Sequence, residues 1–320
     1  MRGGCPAWGR VLTMGFIFLL APSTIAAAEK QETLAARGGG RTVAEVYGDL
    51  ATGPLRGAYL EDLPPKVLLR SEGIEITLQD LEREISRAQP ELQGQLRKYG
   101  LFLLEQMLIP KLLVEEARVT LGKDKRHLSW REERELVREL FRRLGEKVSV
   151  SEQEVQSFYQ SNREALGGAS LEEVRSALEE YLRQDKEQQA IAHYVRNLGR
   201  DRRIVVNGKW VEKQSHLCRD NPVDRARSSG IPTLVDFGAS GCVPCDMMTP
   251  ILESLRQKYQ GKLNVLFVHV GQEQILGARY GVQGIPHQIL FDREGKEVFR
   301  HTGFLAQSEI EKKLSEIGVD

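Results

Sequence analysis

The spacing of apolar residues along the chain changes near residue 230. Before that point, apolar side chains recur every three or four positions among many charges, which is typical of amphipathic helices. After it, short apolar runs such as "TLVDF" and "KLNVLFVHV" alternate with helical stretches, which is typical of buried strands covered by helices. The pattern therefore predicts two structural units, an all-α unit followed by an α/β unit with a mixed sheet.

The first unit is predicted to contain a small hairpin at "KVLLRSEGIEIT" and a short strand at "RIVVN". Thr77 should cap a helix that is stopped by Pro90, and Pro110 should kink or break the next helix. Three capping boxes, each a serine followed three residues later by a glutamate, predict further helix starts. They are Ser129/Glu132, Ser151/Glu154 and Ser170/Glu173.

Composition divides the chain further. Glycine-rich residues 29–65 predict a flexible lead-in, and residues 208–220 predict a linker between the units. The helical unit then spans residues 66–207, and the α/β unit spans residues 221–320. The chain has 45 basic and 45 acidic residues, so its balance argues against nucleic acid or an anionic membrane surface as a partner.

The first 28 residues have the features of a secretory signal peptide. Two arginines precede a short apolar core, and Ala26 and Ala28 occupy the small positions of a cleavage site. Cleavage before Glu29 is expected, and an uncleaved anchor is the alternative. Membrane contact is expected only in the uncleaved case, because no other stretch approaches the ~20 apolar residues of a spanning helix.

Three cysteines remain after the predicted cleavage, namely Cys218, Cys242 and Cys245. An odd number is a poor disulfide framework and indicates one working pair with a spare. Cys242 lies at the predicted start of a helix, where unpaired N–H groups favour a thiolate. Cys245 lies one turn deeper on the same face and could resolve a mixed disulfide held on Cys242.

A zinc clip and a purely structural disulfide are the alternatives for this pair. Zinc needs four ligands, and the remaining cysteine and scattered histidines do not have ligand spacing. A redox-active Cys242–Cys245 disulfide, with no metal and no other cofactor, is the favoured interpretation. Cys218 is either a bystander or a third thiol that pairs transiently.

Residues 221–318 closely resemble thioredoxin. The resemblance rests on "LVDF", "CVPC", Pro250, "RYGVQGIP" and the "GKEV" hairpin that leads to "GF". It implies that Asp236 is the buried acid that handles the proton of Cys245. It also implies that Pro286, after Ile285, is a cis-proline facing the dithiol. The glycines that would let a substrate backbone approach are Gly284 and Gly303.

The sequence departs from the family pattern around the dithiol. Gly241 replaces the usual tryptophan, Asp246 replaces a basic residue, and Phe267 falls where a lysine usually lies near the buried acid. Without that cation, Asp236 should be harder to ionise.

The residue after the cis-proline is His287 rather than the common threonine. It could stabilise the Cys242 thiolate when protonated, or it could simply face solvent. Val243 and Pro244 separate the cysteines without the histidine of strongly oxidising relatives, which favours reduction or isomerisation.

Residues 66–207 resemble the N-terminal helical part of SurA and PrsA-type exported foldases. Two helices that flank the parvulin isomerase domain in that family are joined here by "GGA" at 167–169, so proline isomerisation is not expected. The resemblance implies a chaperone-like scaffold with apolar grooves. A dimerisation or spacer module is the alternative.

Together these features predict an exported, periplasmic bacterial protein thiol–disulfide oxidoreductase. Its expected partners are unfolded or disulfide-containing client proteins and a membrane or periplasmic redox partner. The alternative is a holdase chaperone or adaptor in which the thioredoxin unit is mainly an interaction module.

Overall fold

The computed structural model describes residues 40–51, 53–122, 128–161 and 169–320. The predicted signal peptide, its cleavage site and the start of the predicted flexible lead-in lie outside these residues, as do residues 167 and 168 of the "GGA" junction. Within the described ranges, no helix is both long and apolar enough to span a membrane.

The first unit is mainly helical. Its helices are α1 (Val43–Tyr47), α2 (Leu78–Arg87), α3 (Pro90–Lys98), α4 (Gly100–Leu121), α5 (Trp130–Gly145), α6 (Glu152–Ser161), α7 (Leu171–Asn197) and α8 (Gly208–Arg219), with short 3₁₀ helices at Gly48–Leu50 and Pro54–Gly57. Its strands are β1 (Tyr59–Glu61), β2 (Val67–Ser71), β3 (Ile74–Thr77) and β4 (Val205–Asn207).

These strands form one sheet in the order β1-β4-β2-β3, so the predicted all-α character of the unit is wrong. The predicted hairpin β2–β3 is present, and the predicted short strand β4 pairs antiparallel with β2. β1 then pairs parallel with β4. The hairpin alone leaves an edge of unpaired backbone groups, and the strands from both ends of the unit cover it.

The predicted flexible lead-in, residues 29–65, is folded where the structure describes it. Val43 and Leu55 are fully buried. The buried carboxylate of Glu105 in α4 accepts hydrogen bonds from the backbone of Gly53 at 2.9 Å and of Leu55 at 3.0 Å. The local sequence shows little periodicity because this segment is held by a residue about 50 positions away.

Helix boundaries agree with the predicted caps and with the predicted end of α2 before Pro90, but not with a break at Pro110. Thr77 caps α2, and all three predicted serine–glutamate boxes are formed. Pro90 begins α3 because a proline in the first turn removes only an N–H that has no helical partner. The chain does not break at Pro110, which lies inside the continuous helix α4, flanked by the buried side chains of Ile109 and Leu112.

The predicted linker, residues 208–220, is also wrong, because it contains α8. The Asn207 side chain accepts a hydrogen bond from the Trp210 backbone and caps this helix. Val211 and Cys218 on α8 are buried, and the helix packs against α4 and β1. The sequence "KWVEKQSHLC" therefore completes the first unit instead of separating the two.

The second unit is the α/β unit. It comprises α9 (Pro222–Arg227), β5 (Thr233–Gly238), α10 (Val243–Lys258), β6 (Asn264–His269), α11 (Gln274–Arg279), β7 (His287–Phe291), β8 (Glu297–Thr302) and α12 (Gln307–Glu316). The sheet order is β6-β5-β7-β8, with β5 parallel to β6 and antiparallel to β7. This confirms the predicted mixed sheet, and it places the fully buried strand β5 at the centre of the unit.

Candidate active site

The two cysteines lie where the central strand passes into its helix. β5 ends at Gly238, a short loop follows, and Cys242 is the N-cap residue of α10. Cys242 and Cys245 form a disulfide with their Cα atoms 5.2 Å apart. Cys245 is buried, whereas Cys242 is partly exposed. An incoming thiol or disulfide can therefore reach Cys242, and Cys245 is shielded behind it.

Ile285, Pro286 and Gly303 meet beside the exposed sulfur. The Ile285–Pro286 peptide bond is cis. The Ile285 carbonyl oxygen lies 4.0 Å from Cys242 Sγ, and the Pro286 carbonyl accepts a hydrogen bond from the Gly303 backbone at 2.8 Å. Ile285 therefore lies beside Cys242, and Gly303 is held to the same segment through Pro286.

Gly284 has a packing role that the sequence did not reveal. A Cβ at this position would lie 3.2 Å from Thr302 Cγ2, so the neighbouring strand leaves little room for a side chain. Gly303 differs because its φ of +107° itself favours glycine. Gly284 is therefore favoured by close packing against Thr302, and Gly303 by its backbone conformation.

Asp236 lies on β5 behind the dithiol and is fully buried. Gln288 on β7 donates a hydrogen bond to Asp236 Oδ1 at 2.7 Å, and Oδ2 has no partner among the described residues. Burial raises the pKa of Asp236 to about 6, although the bond from Gln288 acts in the opposite direction. The direction is the one expected for an acid without a neighbouring lysine.

Phe267 covers the region between Asp236 and Cys245. It pairs in register with Asp236 across β5 and β6. A Cβ at Gly238 would lie 2.8 Å from Phe267 Cε2 and 3.5 Å from Cys245 Cβ, so the ring occupies the space above this glycine. Sequence analysis missed Gly238, because its closeness to Phe267 depends on the strand register.

His287 is buried and neutral, which contradicts both predictions made for it. Its Nδ1 lies 2.7 Å from Thr302 Oγ1, and its Nε2 lies 3.2 Å from an Arg300 guanidinium nitrogen. Because the guanidinium can only donate, Nε2 accepts and Nδ1 carries the proton donated to Thr302. Burial, followed by the charge of Arg300, lowers the pKa of His287 to about 4.

A second histidine, His269, contacts the dithiol loop and was missed by sequence analysis. Its Nε2 lies 3.3 Å from both the backbone nitrogen and the hydroxyl of Ser240. Its Nδ1 accepts from the Gly271 backbone at 3.1 Å. Its position at the end of a strand parallel to β5 is the feature that could have indicated this contact.

The side chains around the dithiol present an apolar surface. Val243 is 71% exposed and Met247 is 51% exposed, and both lie on α10. Pro244 occupies the first turn of the same helix, where a proline is well tolerated. Asp246 is exposed in the same first turn.

Cys218 lies in α8, outside this surface. Its Sγ donates to the Lys98 carbonyl at 3.3 Å, and burial raises the pKa of its thiol. These features favour the bystander interpretation. In the described ranges there is no cluster of three or more metal-ligating side chains.

The fold and the site define a thiol–disulfide oxidoreductase domain: a disulfide at a helix N-terminus, a cis-proline beside it, and a buried acid behind it. The family profile of thioredoxin matches residues 220–316. Thioredoxin from Pseudomonas aeruginosa is 38% identical over 79 residues, covering 25% of this chain and 72% of that protein. Thioredoxin from Chlorobaculum thiosulfatiphilum is 36% identical over 109 residues, covering 34% and 96%.

The chain belongs to the thioredoxin family. A solved structure of a mutant thioredoxin from Halobacterium salinarum is 28% identical and covers 31% of this chain and 83% of that one. Its TM-score of 0.28 carries no weight on the fold. The family profile leaves the helical unit outside its match.

Proposed function

We propose that this protein is an exported, periplasmic thiol–disulfide oxidoreductase that reduces or isomerises disulfides in client proteins. The observation that carries the proposal is the asymmetry of the pair. Cys242 is partly exposed at the start of α10, and Cys245 is buried one turn further on. One sulfur is placed to attack and the other to resolve.

The proposed reaction is a two-electron exchange between a client disulfide and the Cys242–Cys245 dithiol. The Cys242 thiolate attacks one sulfur of a client disulfide, which forms a mixed disulfide and releases one client thiolate. The Cys245 thiolate then attacks the Cys242 sulfur, which releases the second client thiolate and forms the Cys242–Cys245 disulfide. The two electrons that reduce the client come from the protein dithiol, and an external dithiol reductant must restore it.

Asp236 supplies the proton step. With a pKa of about 6, its carboxylate accepts the proton of the Cys245 thiol more readily than an ordinary aspartate would. Phe267, which covers the neighbouring Gly238, limits the access of water from that side. The proton therefore exchanges within a largely apolar region.

The client backbone is proposed to lie along the Ile285 carbonyl and Gly303. The carbonyl near Cys242 Sγ is available as an acceptor for an extended client strand. Val243 and Met247 supply apolar contacts that do not depend on the client's sequence.

The helical unit is proposed to hold client or partner protein, as its resemblance to exported chaperones suggests. A groove of about 590 Å³ lies between the end of α4 and α5. Leu121, Leu128 and Leu136 contribute its apolar lining, and glutamates lie alongside them. Such a groove is suited to apolar side chains of a non-native chain.

Replacing Cys242 by serine tests the enzymatic proposal. Disulfide reduction in an insulin turbidity assay should be lost, whereas the matched variant Cys218→Ser should react like the wild type. The Cys245→Ser variant should accumulate a mixed disulfide with the client, visible on a non-reducing gel. Retention of full activity by Cys242→Ser would show that the assignment is wrong.

A holdase or adaptor is the second candidate, favoured by the groove on α5 and by glycine in place of the usual tryptophan at Gly241. The full chain with both Cys242 and Cys245 changed to serine would then suppress aggregation of a denatured client as well as the wild type does. Loss of that suppression in the double variant would exclude an adaptor role independent of the dithiol.

A further inference from the structure

One glutamine of the helical unit clamps a backbone segment of the thioredoxin domain. Gln95 on α3 donates its side-chain N–H to the Gln272 carbonyl at 2.6 Å. Its side-chain oxygen accepts from the Ile275 backbone at 3.1 Å. Both ends of one amide are thus used on the residues that begin α11, where helix N–H groups lack partners.

A buried ionic cluster reinforces this joint. Arg279 at the end of α11 pairs with Asp224 of α9, and it also donates to the Cys218 carbonyl of α8 at 3.3 Å. Tyr280 donates its hydroxyl to Asp224 at 2.7 Å, and the guanidinium of Arg279 lies 6.0 Å from the ring of Tyr99. The hydrogen-bonded groups of Arg279, Asp224 and Tyr280 are buried, and such a network favours one arrangement of its members.

The clamped segment is connected to the dithiol loop by His269. Gly271, next to Gln272, donates to His269 Nδ1, and Nε2 faces Ser240. The Gly271 backbone N–H donates to Nδ1 at 3.1 Å, and Nε2 faces both the backbone N–H and the hydroxyl of Ser240 at 3.3 Å. His269 therefore joins the segment held by the helical unit to the loop that precedes Cys242.

Among the described residues, Ala239 at the start of that loop also packs against the hydrophobic core, whereas Gly241 lies at its end, next to Cys242. Gly241 adopts a φ of +77°, which costs glycine little and leaves it free to leave that conformation. Cys242 is the N-cap residue of α10 but makes no side-chain capping hydrogen bond to that helix. The position of its sulfur at the helix start therefore depends on how the preceding residues are held.

We propose that the docked helical unit is part of the redox site. Through Gln95 and His269, it holds the loop that keeps Cys242 at the N-terminus of α10, and it thereby sets the thiol–disulfide equilibrium of the pair. The inference rests on the proposed function in that it treats Cys242–Cys245 as a working couple. Gln95 and His269 act as positioning residues, since neither contacts the reacting sulfurs.

The direction of the effect follows from the helix terminus. Unpaired N–H groups and the macrodipole stabilise a thiolate at Cys242 in the reduced form. A loosened loop lets the sulfur move away from that position, which weakens the thiolate and with it the reduced state. Removing the clamp should shift the couple towards the disulfide.

The experiment measures the equilibrium of the full chain with glutathione. In that reaction the protein disulfide and two glutathione thiols give the protein dithiol and glutathione disulfide, with two electrons transferred. Gln95→Ala should favour the protein disulfide by about threefold or more, and the thiolate absorbance of Cys242 should then appear at higher pH. Gln93→Ala is the matched control, because the Gln93 side chain donates within its own unit, to the Ala88 carbonyl at 3.1 Å.

His269→Ala should shift the equilibrium in the same direction. If both residues act through one connection, the double variant should shift it no further than the larger single change. An equilibrium constant for Gln95→Ala equal to that of Gln93→Ala would overturn the proposal, as would full additivity of the two changes.

Two further measurements keep the outcome interpretable. The near-isosteric Gln95→Glu variant loses the donor to Gln272 while keeping the acceptor, so it tests the clamp if the alanine variant unfolds. Insulin reduction is measured alongside. A wild type that fails to reduce insulin refutes the proposed function, whereas an unchanged glutathione equilibrium in the variants refutes only the coupling.

Discussion

Each unit of the protein buries a carboxylate, and the two are treated very differently. In the helical unit, Glu105 is 1% exposed and accepts two backbone hydrogen bonds that secure the 3₁₀ helix at Pro54–Gly57. In the thioredoxin domain, Asp236 is fully buried, has one hydrogen bond from Gln288, and leaves Oδ2 without a partner in the described part of the chain.

Glu105 is therefore a structural carboxylate, whereas Asp236 is the one proposed to transfer a proton. Glu105 accepts hydrogen bonds from backbone donors that would otherwise be unpaired, so its side chain contributes to the fold. Asp236 accepts one hydrogen bond, from the Gln288 side chain, and its raised pKa opposes its ionisation at neutral pH. A buried acid that costs stability is retained more readily where it performs chemistry.

The largest expected effect is on the structural carboxylate. Glu105→Ala should lower the free energy of unfolding by about 2 to 6 kcal/mol, since each buried donor left unpaired costs roughly 1 to 3 kcal/mol. Urea unfolding measures it. The control Glu82→Ala removes an exposed carboxylate paired with Arg97 and should cost at most about 1 kcal/mol. Equal losses of unfolding free energy in Glu105→Ala and Glu82→Ala would show that Glu105 has no special structural role.

Asp236→Asn should raise the free energy of unfolding at neutral and higher pH, whereas Glu105→Ala lowers it. An acid with a pKa of about 6 in the folded state and ~3.9 in the unfolded state binds its proton more tightly when folded. Its stabilising contribution is present below pH ~4 and is lost as the pH rises through 6. At pH 8 the asparagine variant should be more stable by up to about 3 kcal/mol, with no gain at pH 4.

That comparison is made on the oxidised protein, so that the thiols do not titrate. The same variant should reduce insulin more slowly, because the proton acceptor for Cys245 is gone. A uniform stability difference across this pH range would show that the pKa of Asp236 is not raised.

His287 should make the protein less stable in acid, by an amount similar to or smaller than the stability change predicted for Asp236→Asn. Its pKa of about 4 lies below the ~6.5 of an unfolded histidine, so its contribution is present above pH ~6.5 and is lost as the pH falls through 4. His287→Gln should remove about 2 to 3 kcal/mol of that loss, as measured by unfolding at pH 7 and pH 4. The exposed His216 of the helical unit is the control, and equal effects of His216→Gln and His287→Gln would contradict the prediction.

The smallest effect tests the departure at Phe267. Phe267→Lys places a cation opposite Asp236 and should lower the pKa of Asp236 by roughly 1 unit or more. A carbon-detected NMR titration of the Asp236 carboxyl follows it. Val298→Lys, which adds a cation at an exposed position on β8, should leave the titration unchanged.

The sequence predicted most of what is local. The capping serines, the hairpin β2–β3, the mixed sheet and the pairing of Cys242 with Cys245 depend on residues within a few positions or on a specific family pattern. The lead-in and the segment 208–220 were mispredicted because their order comes from distant contacts, such as the bonds from Glu105 to Gly53 and Leu55.

The site was predictable in its members more than in its environment. Asp236, Ile285 and Pro286 follow from the motif, but the burial of His287 depends on Thr302 and Arg300 of the adjacent strand. The contacts of Gly238 and Ser240 likewise depend on strand register and on a neighbouring strand's end. Neither is visible in the order of residues along the chain.

The parallel pairing of β1 with β4 also determines when the helical unit can be completed during synthesis. Tyr59–Glu61 must wait for Val205–Asn207, almost 150 residues later. At typical elongation rates this delay is on the order of ten seconds. Until β4 is made, neither β1 nor the β2 edge of the hairpin has its partner strand, and the thioredoxin domain begins only about a dozen residues after β4. β4, which completes the sheet of the helical unit, is thus made just before the thioredoxin domain that docks against this unit.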